Sequence, residues 1–135
     1  MNEIKIAEHL LQQNLALKNG EQLLIIVDET TLDIGKALFS AGQELGAQSS
    51  LMKIEQLGRS GAEPAPMVAQ AMAAADVIVA ATAHSLTHTQ ARKKACAAGA
   101  RMATMPGITT DIFAGGALAA NYDEIARRTI ELANL

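Results

Sequence analysis

The sequence predicts an α/β fold, a three-layer helix/sheet/helix sandwich around a mostly parallel sheet of four or more strands. Three observations carry this expectation. Short apolar runs alternate with Ala-rich amphipathic stretches, which is the rhythm of repeated βα units. The runs Leu23-Leu24-Ile25-Ile26-Val27 and Val77-Ile78-Val79-Ala80-Ala81 are apolar at every position. Strands covered by helices on both faces need such runs, whereas a strand wet on one face alternates. Glycines and capping residues then stand at the borders between the two patterns.

The elements follow in order. Residues 3–18 read as a helix with Ile4, Ala7, Leu11 and Leu15 at helical spacing and Gly20 just past the end as a stop. Residues 23–27 form the first strand. Thr30 or Thr31 caps a second helix whose inner face holds Ile34, Ala37, Leu38, Ala41 and Leu45, and which ends at Gly46. Residues 49–54 are a weaker second strand, and residues 56–66, rich in Gly, Pro, Ser and charge, are the longest loop. Pro66 suits the first turn of a helix over residues 67–75. Residues 77–82 are the third strand.

Thr87-His88-Thr89-Gln90 matches a capping box for a helix over residues 91–98, stopped by Gly99. Residues 101–105 are a fourth strand, ended by the turn Met105-Pro106-Gly107. Asn121-Tyr122-Asp123-Glu124 looks like a second capping box before a last helix to Leu135. The whole is Rossmann-like, with 2-1-3-4 as the commonest strand order for such a sheet.

Composition narrows the function. The 135 residues are 50% hydrophobic, 19% charged and 2% aromatic. That length fits a single α/β domain spanning residues 1–135, able to bury roughly 68% of the surface its unfolded chain exposes. Charged residues usually make up about a quarter of a domain, so the shortfall points to a covered face. A net charge of −3 and so few aromatic rings argue against nucleic acid as a partner. No apolar stretch approaches the roughly 20 residues of a spanning helix, so no membrane role is expected. The start carries acids and no apolar leader segment, and a lone cysteine, Cys96, fits a reducing, cytoplasmic setting.

Ligands of such sheets bind beyond the carboxyl ends of the strands. Those ends carry Asp28-Glu29-Thr30-Thr31, Glu55, Thr82-Ala83-His84-Ser85 and Pro106-Gly107-Ile108-Thr109-Thr110. A dinucleotide fingerprint is missing, since Asp28-Glu29-Thr30 stands where glycines would admit a pyrophosphate. A P-loop fails because Gly35-Lys36 is followed by Ala37 and the earlier glycine is Thr30. No nucleophile elbow occurs, and a phospho-receiver would need an acid where Thr82 stands.

His84 and His88 have the i, i+4 spacing of a zinc pair, but the helix begins after His84, so they read better as loop and cap residues. Cys96 reads as a small packed thiol, and Arg92-Lys93-Lys94 and Arg127-Arg128 as solvated helix faces. Asp28, Glu29 and Glu55 could form acid pairs, yet the residues alone assemble no catalytic constellation and no metal site. A small ligand at the rim would meet Thr82, Ser85, His88 and Thr109, and helix N-termini there would favour a carboxylate or phosphate.

Two long stretches carry a resemblance. One is Ala75-Asp76-Val77-Ile78-Val79-Ala80-Ala81-Thr82-Ala83-His84-Ser85-Leu86-Thr87-His88-Thr89 with Ala91-Arg92-Lys93-Lys94-Ala95 after it. The other is Gly99-Ala100-Arg101-Met102-Ala103-Thr104-Met105-Pro106-Gly107-Ile108-Thr109, followed by Asn121-Tyr122-Asp123-Glu124-Ile125-Ala126. From about Gly20 onward the chain resembles the N-terminal region of the thermophilic-type metallo-aminopeptidases, the aminopeptidase T or leucyl aminopeptidase group. The resemblance implies a longer polypeptide whose C-terminal domain holds divalent metal ions in a two-metal centre and removes N-terminal residues from peptides. It also implies a homodimer. None of the family's metal ligands maps onto this chain, so the chain alone is expected to be inactive, with no catalytic residue and no cofactor of its own. The related ring-cleaving dihydroxypyridine dioxygenases have a comparable N-terminal domain, although Met105-Pro106-Gly107-Ile108-Thr109 is closer to the peptidase branch. A free-standing small-ligand binding module is the remaining alternative.

Overall fold

The computed structural model describes residues 3–109 and Phe113. Its strands are β1 (Gln22–Val27), β2 (Gln48–Lys53), β3 (Val77–Ala81) and β4 (Arg101–Thr104). All pair in parallel, in the order β2-β1-β3-β4, with Ile25 opposite both Leu51 and Val79. The expected strand order is the one observed. The helices are α1 (Glu3–His9), α2 (Leu32–Glu44), α3 (Pro66–Ala74) and α4 (Gln90–Ala97). The boundaries of β1 to β4, α3 and α4 fall within one residue of those read from the sequence. The capping box at residues 121–124 and the helix after it lie outside the described residues.

The continuous apolar runs divide by parity, because successive strand side chains point to opposite faces. Leu23, Ile25, Val27, Val77, Val79 and Ala81 join the buried faces of α1 and α2 in one core. Leu24, Ile26, Ile78 and Ala80 join Val68 and Met72 of α3 and Ala91 and Ala95 of α4 in the other. Two cores with the sheet between them make the three layers. Leu38 and Met72, one on each side, are both fully buried, and fully burying such a side chain is worth about 1.5–3 kcal/mol.

Two helix stops work as the glycines predict. After α2, Gly46 takes φ +85°, its N–H donates to the Gln43 carbonyl and the Ala47 N–H donates to Gly42. After α4, Gly99 and Ala100 repeat the pair of bonds onto Cys96 and Ala95. Each is a Schellman closure, which needs a left-handed residue that only glycine adopts without strain.

The first helix departs from expectation. It is α-helical only to His9, then opens into a π-helical turn over Leu10–Asn14, and Ala16 adopts φ +52°. Ala7, Leu11 and Leu15 of the expected stripe are buried, with Ile6, Leu10 and Leu17 beside them, while Ile4 is exposed. Carbonyls freed at this broken end go to Arg101, whose Nε donates to Leu15 O at 2.9 Å and whose Nη2 reaches Glu21 Oε1 at 2.6 Å. Gly20 therefore serves the turn into β1 and not the helix end.

Candidate functional site

The strand order reverses between β1 and β3, and that switch point is where ligands of open α/β sheets usually bind. Here the chain's own carboxylate stands in the place. Asp28, the residue after β1, is 1% exposed. Its Oδ2 accepts from the Ala83 N–H at 2.8 Å, and its Oδ1 accepts from the Thr30 N–H at 2.9 Å and the Thr30 hydroxyl at 2.6 Å. Burial pushes the carboxyl pKa up, but the bonds from Ala83 and Thr30 outweigh it and hold the group below its ordinary value. Asp28 is thus a charged tie between the ends of β1 and β3.

Of Thr30 and Thr31, the two candidate caps of α2, Thr31 stands at the cap position, but its side chain makes no capping bond. Its hydroxyl donates to the Ala81 carbonyl and accepts from the Asp28 N–H. The capping role is lost because the β3 carbonyl lies within reach of a buried hydroxyl, a partner 50 residues away that no local pattern reveals.

The expected cap of α4 also shifts. Thr89, not Thr87, is the cap, accepting from the Arg92 N–H at 3.1 Å. Thr87 instead accepts from Ser85 and pairs with the Thr104 hydroxyl at 2.8 Å, so a line of hydroxyls runs from the β3–α4 loop to the end of β4. The Glu63 carboxylate, carried in by the long loop, receives the N–H groups of Gln90 at 2.8 Å and Ala91 at 3.2 Å. The anion that a helix N-terminus attracts is here supplied by the protein itself.

The four rim residues singled out from the sequence have different surroundings. Thr82 is buried and donates its hydroxyl proton to the His84 carbonyl at 2.6 Å. Ser85 is half-buried and bonded to Thr87. His88 and Thr109 are exposed, and the Thr109 carbonyl accepts from the Phe113 N–H. The turn after β4 lies against the end of β3, because the Gly107 N–H donates to the Thr82 carbonyl at 2.9 Å. His84 and His88 both precede α4, His84 in the loop and His88 in the turn just before the cap residue Thr89. Among the described residues no three of His, Cys, Asp and Glu converge to hold a metal ion. Cys96 packs half-buried against the α3–α4 core.

Arg92 contradicts its reading as part of a solvated face. It is 5% exposed, and its Nε donates to the Thr87 carbonyl at 2.8 Å. Only Lys93 and Lys94 face water. The signal for this was present: Arg92 lies beside Ala91 and three residues before Ala95, the small residues that mark the inner face of α4. A separate open groove of about 510 Å³ lies at the sheet edge beyond β2, lined by Met52, Ile54, Glu55, Leu57, Met67 and Val68. Of the rim acids singled out in the sequence, it is lined by Glu55.

No family model and no curated protein matches the chain. Solved structures do share its fold. The 2,5-dihydroxypyridine dioxygenase of Pseudomonas putida superposes on 77% of this chain and 33% of its own, with a TM-score of 0.62 at 16% identity. A fatty acid ABC transporter substrate-binding protein from Thermomonospora curvata covers 76% of this chain and 26% of its own, with a TM-score of 0.55 at 15% identity. AmpT from Thermus thermophilus covers 98% of this chain and 42% of its own, with a TM-score of 0.51 at 15% identity. The chain thus spans between about a quarter and two fifths of these proteins. At such identities the likeness is one of fold.

Proposed function

We propose that this chain is the N-terminal, non-catalytic α/β portion of a metal-dependent aminopeptidase, whose metal ligands and catalytic groups come from a C-terminal domain of the same polypeptide. The observation that carries the reading is the inward use of the rim's polar groups. Asp28 closes the switch point and Glu63 closes the α4 N-terminus, so the carboxyl edge serves as a rigid shelf and not as a reaction site. The resemblance in residues 75–109 and the match of nearly the whole chain to less than half of AmpT support the same placement. The described residues do not fit a two-metal centre, because Asp28 already accepts three hydrogen bonds and the two rim histidines stand apart from any acid cluster. Homodimer contacts and a cytoplasmic setting belong to this proposal. Among the described residues, no helix is long and apolar enough to cross a membrane.

The assay is release of a leucine anilide by the 135-residue chain with cobalt or zinc, and no turnover is expected. Metal-dependent release that disappears on His84→Ala or His88→Ala would overturn the proposal. The source reading frame is a second check, expected to continue past Leu135 into a segment rich in Glu, His and Asp.

The fold match to the dioxygenase, with the higher TM-score, favours a second reading as the N-terminal domain of a ring-cleaving dihydroxypyridine dioxygenase. Joining this chain to the remainder of its reading frame and assaying both substrates with zinc and with ferrous iron separates the two.

A further inference from the structure

β2 is an outer strand of the sheet and pairs with β1 along its inner side. The Gln48 N–H donates to the Glu21 carbonyl and the Ile54 N–H to the Val27 carbonyl, both at 2.8 Å, so the even-numbered residues of β2 turn their backbone groups toward β1. The N–H and C=O groups of Ser49, Leu51 and Lys53 point the other way, and nothing among the described residues bonds to them. Such an edge is a template for another strand, and proteins commonly blunt it with proline, a bulge or charge. β2 has no proline and pairs without a bulge over its 6 residues, with Lys53 at the end as its one charge. The helix over this edge is also unfinished. α2 sits astride β1 and β2, since a Cβ at Gly35 would touch Val27 and Leu51 and one at Gly42 would touch Leu23 and Ser49. Leu32 and Phe39 continue that stripe at helical spacing, and both are only half-buried. Phe39 lies between the two glycines, level with the middle of β2. On the opposite face Met52 and Ile54 line the open groove with Met67, which is 72% exposed. Aromatic and methionine side chains are those that interface cores favour.

We propose that the β2 edge and the α2 stripe beside it form a self-association surface, taken by β2 and α2 of a second copy in antiparallel alignment about a two-fold axis at Leu51. In that register Leu51 pairs with its own counterpart and Ser49 with Lys53, so the outward residues of the two copies exchange about six hydrogen bonds. Strands stand about 4.8 Å apart and α2 lies between β1 and β2, which sets the two α2 helices about 10 Å apart, a packing distance for helices. Phe39 then meets its counterpart near the axis, while the two Lys53 side chains stay at opposite ends of the paired strands. An edge about 20 Å long and about 30 Å thick through its three layers covers roughly 600 Å² per copy, or about 1,200 Å² in all, which reaches the lower bound of a stable specific interface. A single extended peptide would satisfy the strand edge but leave Leu32 and Phe39 bare, so a second copy is the occupant that fits. This surface gives a place to the homodimer contacts of the proposed function. It rests on the sheet edge alone, and a monomeric chain would leave the outcome of the turnover assay untouched.

The test uses the whole chain. Sedimentation from micromolar to hundreds of micromolar should show reversible growth from 14.1 kDa toward twice that mass. Amide exchange, read residue by residue in 15N spectra, should be slow at Ser49, Leu51 and Lys53 at high concentration and fast on dilution. Ser50 and Met52, bonded to β1, should stay slow throughout. Phe39→Lys, which sets two like charges at the axis, should weaken association on the order of 30-fold or more. Lys94→Met, on the watered face of α4, should match the native chain. Circular dichroism checks that Phe39→Lys folds, and if it does not, the exchange pattern of the native chain decides alone. A monomer at every concentration, or a dimer whose Ser49, Leu51 and Lys53 amides exchange freely, would overturn the proposal. So would undiminished association by folded Phe39→Lys, or protection of those three amides that ignores concentration, which would put another segment of the same chain on the edge.

Discussion

Replacing Asp28 by Asn removes one charge and one acceptor from the tie between β1 and β3 while leaving its shape almost unchanged. The Asn amide can face two ways. With its nitrogen toward Ala83, two N–H groups oppose each other and a part-buried backbone donor is orphaned. With its nitrogen toward Thr30, the hydroxyl can turn to accept, and the Thr30 N–H lies on an exposed residue where water can reach it. The second orientation is cheaper, and losing hydrogen bonds to a charged carboxylate, worth about 1.5–3 kcal/mol, sets the expected loss at about 2 kcal/mol. For a chain of this size that is a fall in Tm of roughly 6–10 °C at pH 7.

The pH dependence follows from the lowered pKa of Asp28. The folded state holds fewer protons on this group than the unfolded state, so its stabilisation is complete above the unfolded value of about 3.9. It is lost as pH falls through the lower folded value. Urea unfolding of both proteins at pH 7 and near pH 3 measures this, and the gap between them should shrink toward the acid end. An Asp28→Asn protein as stable as the native one at pH 7, or a gap that does not narrow in acid, would refute the tie.

Three further outcomes are expected. Gly35→Ala in α2 gains roughly 0.5–1 kcal/mol of helix propensity, but its Cβ would stand 2.6 Å from Val27 Cγ1 and 2.9 Å from Leu51 Cδ1. Overpacking should win by about 1 kcal/mol, and Val27→Ala made in the same chain should relieve part of it in a double-mutant cycle. Glu63→Ala should lower stability by about 1 kcal/mol through the loss of both α4 capping bonds, read as faster amide exchange at Gln90 and Ala91. Arg101→Met should cost roughly 1 kcal/mol and loosen Leu10–Asn14 ahead of global unfolding, since the guanidinium holds the Leu15 and Ala16 carbonyls; uniform exchange rates along the chain would contradict this.

The sequence by itself determined the class of fold, most element boundaries and the helix stops at Gly46 and Gly99. These depend on periods of two or 3.6 residues and on left-handed glycines, which are properties of a few neighbours. It also determined that the strands are covered on both faces, because residues 23–27 and 77–81 have no polar position to offer water. The π-helical turn after α1 escaped it, since residues 7, 11 and 15 recur at ordinary α-helical spacing and nothing in that pattern marks a wider turn. Tertiary structure decided that turn when Arg101, from β4, took the carbonyls of Leu15 and Ala16.

The rim was the least legible part, for the same reason at each residue. Asp28 meets Ala83 across 55 positions, Thr31 meets Ala81 across 50, and Glu63 reaches Gln90 and Ala91 across 27 and 28. In the sequence these are a strand-end acid, a helix cap and a loop charge, each with an ordinary local role. Arg92 stands among charged neighbours and differs from them only in facing the sheet. Which polar groups meet at the carboxyl edge is set by strand order and loop docking, and a buried polar group takes whatever partner that packing brings within hydrogen-bond reach.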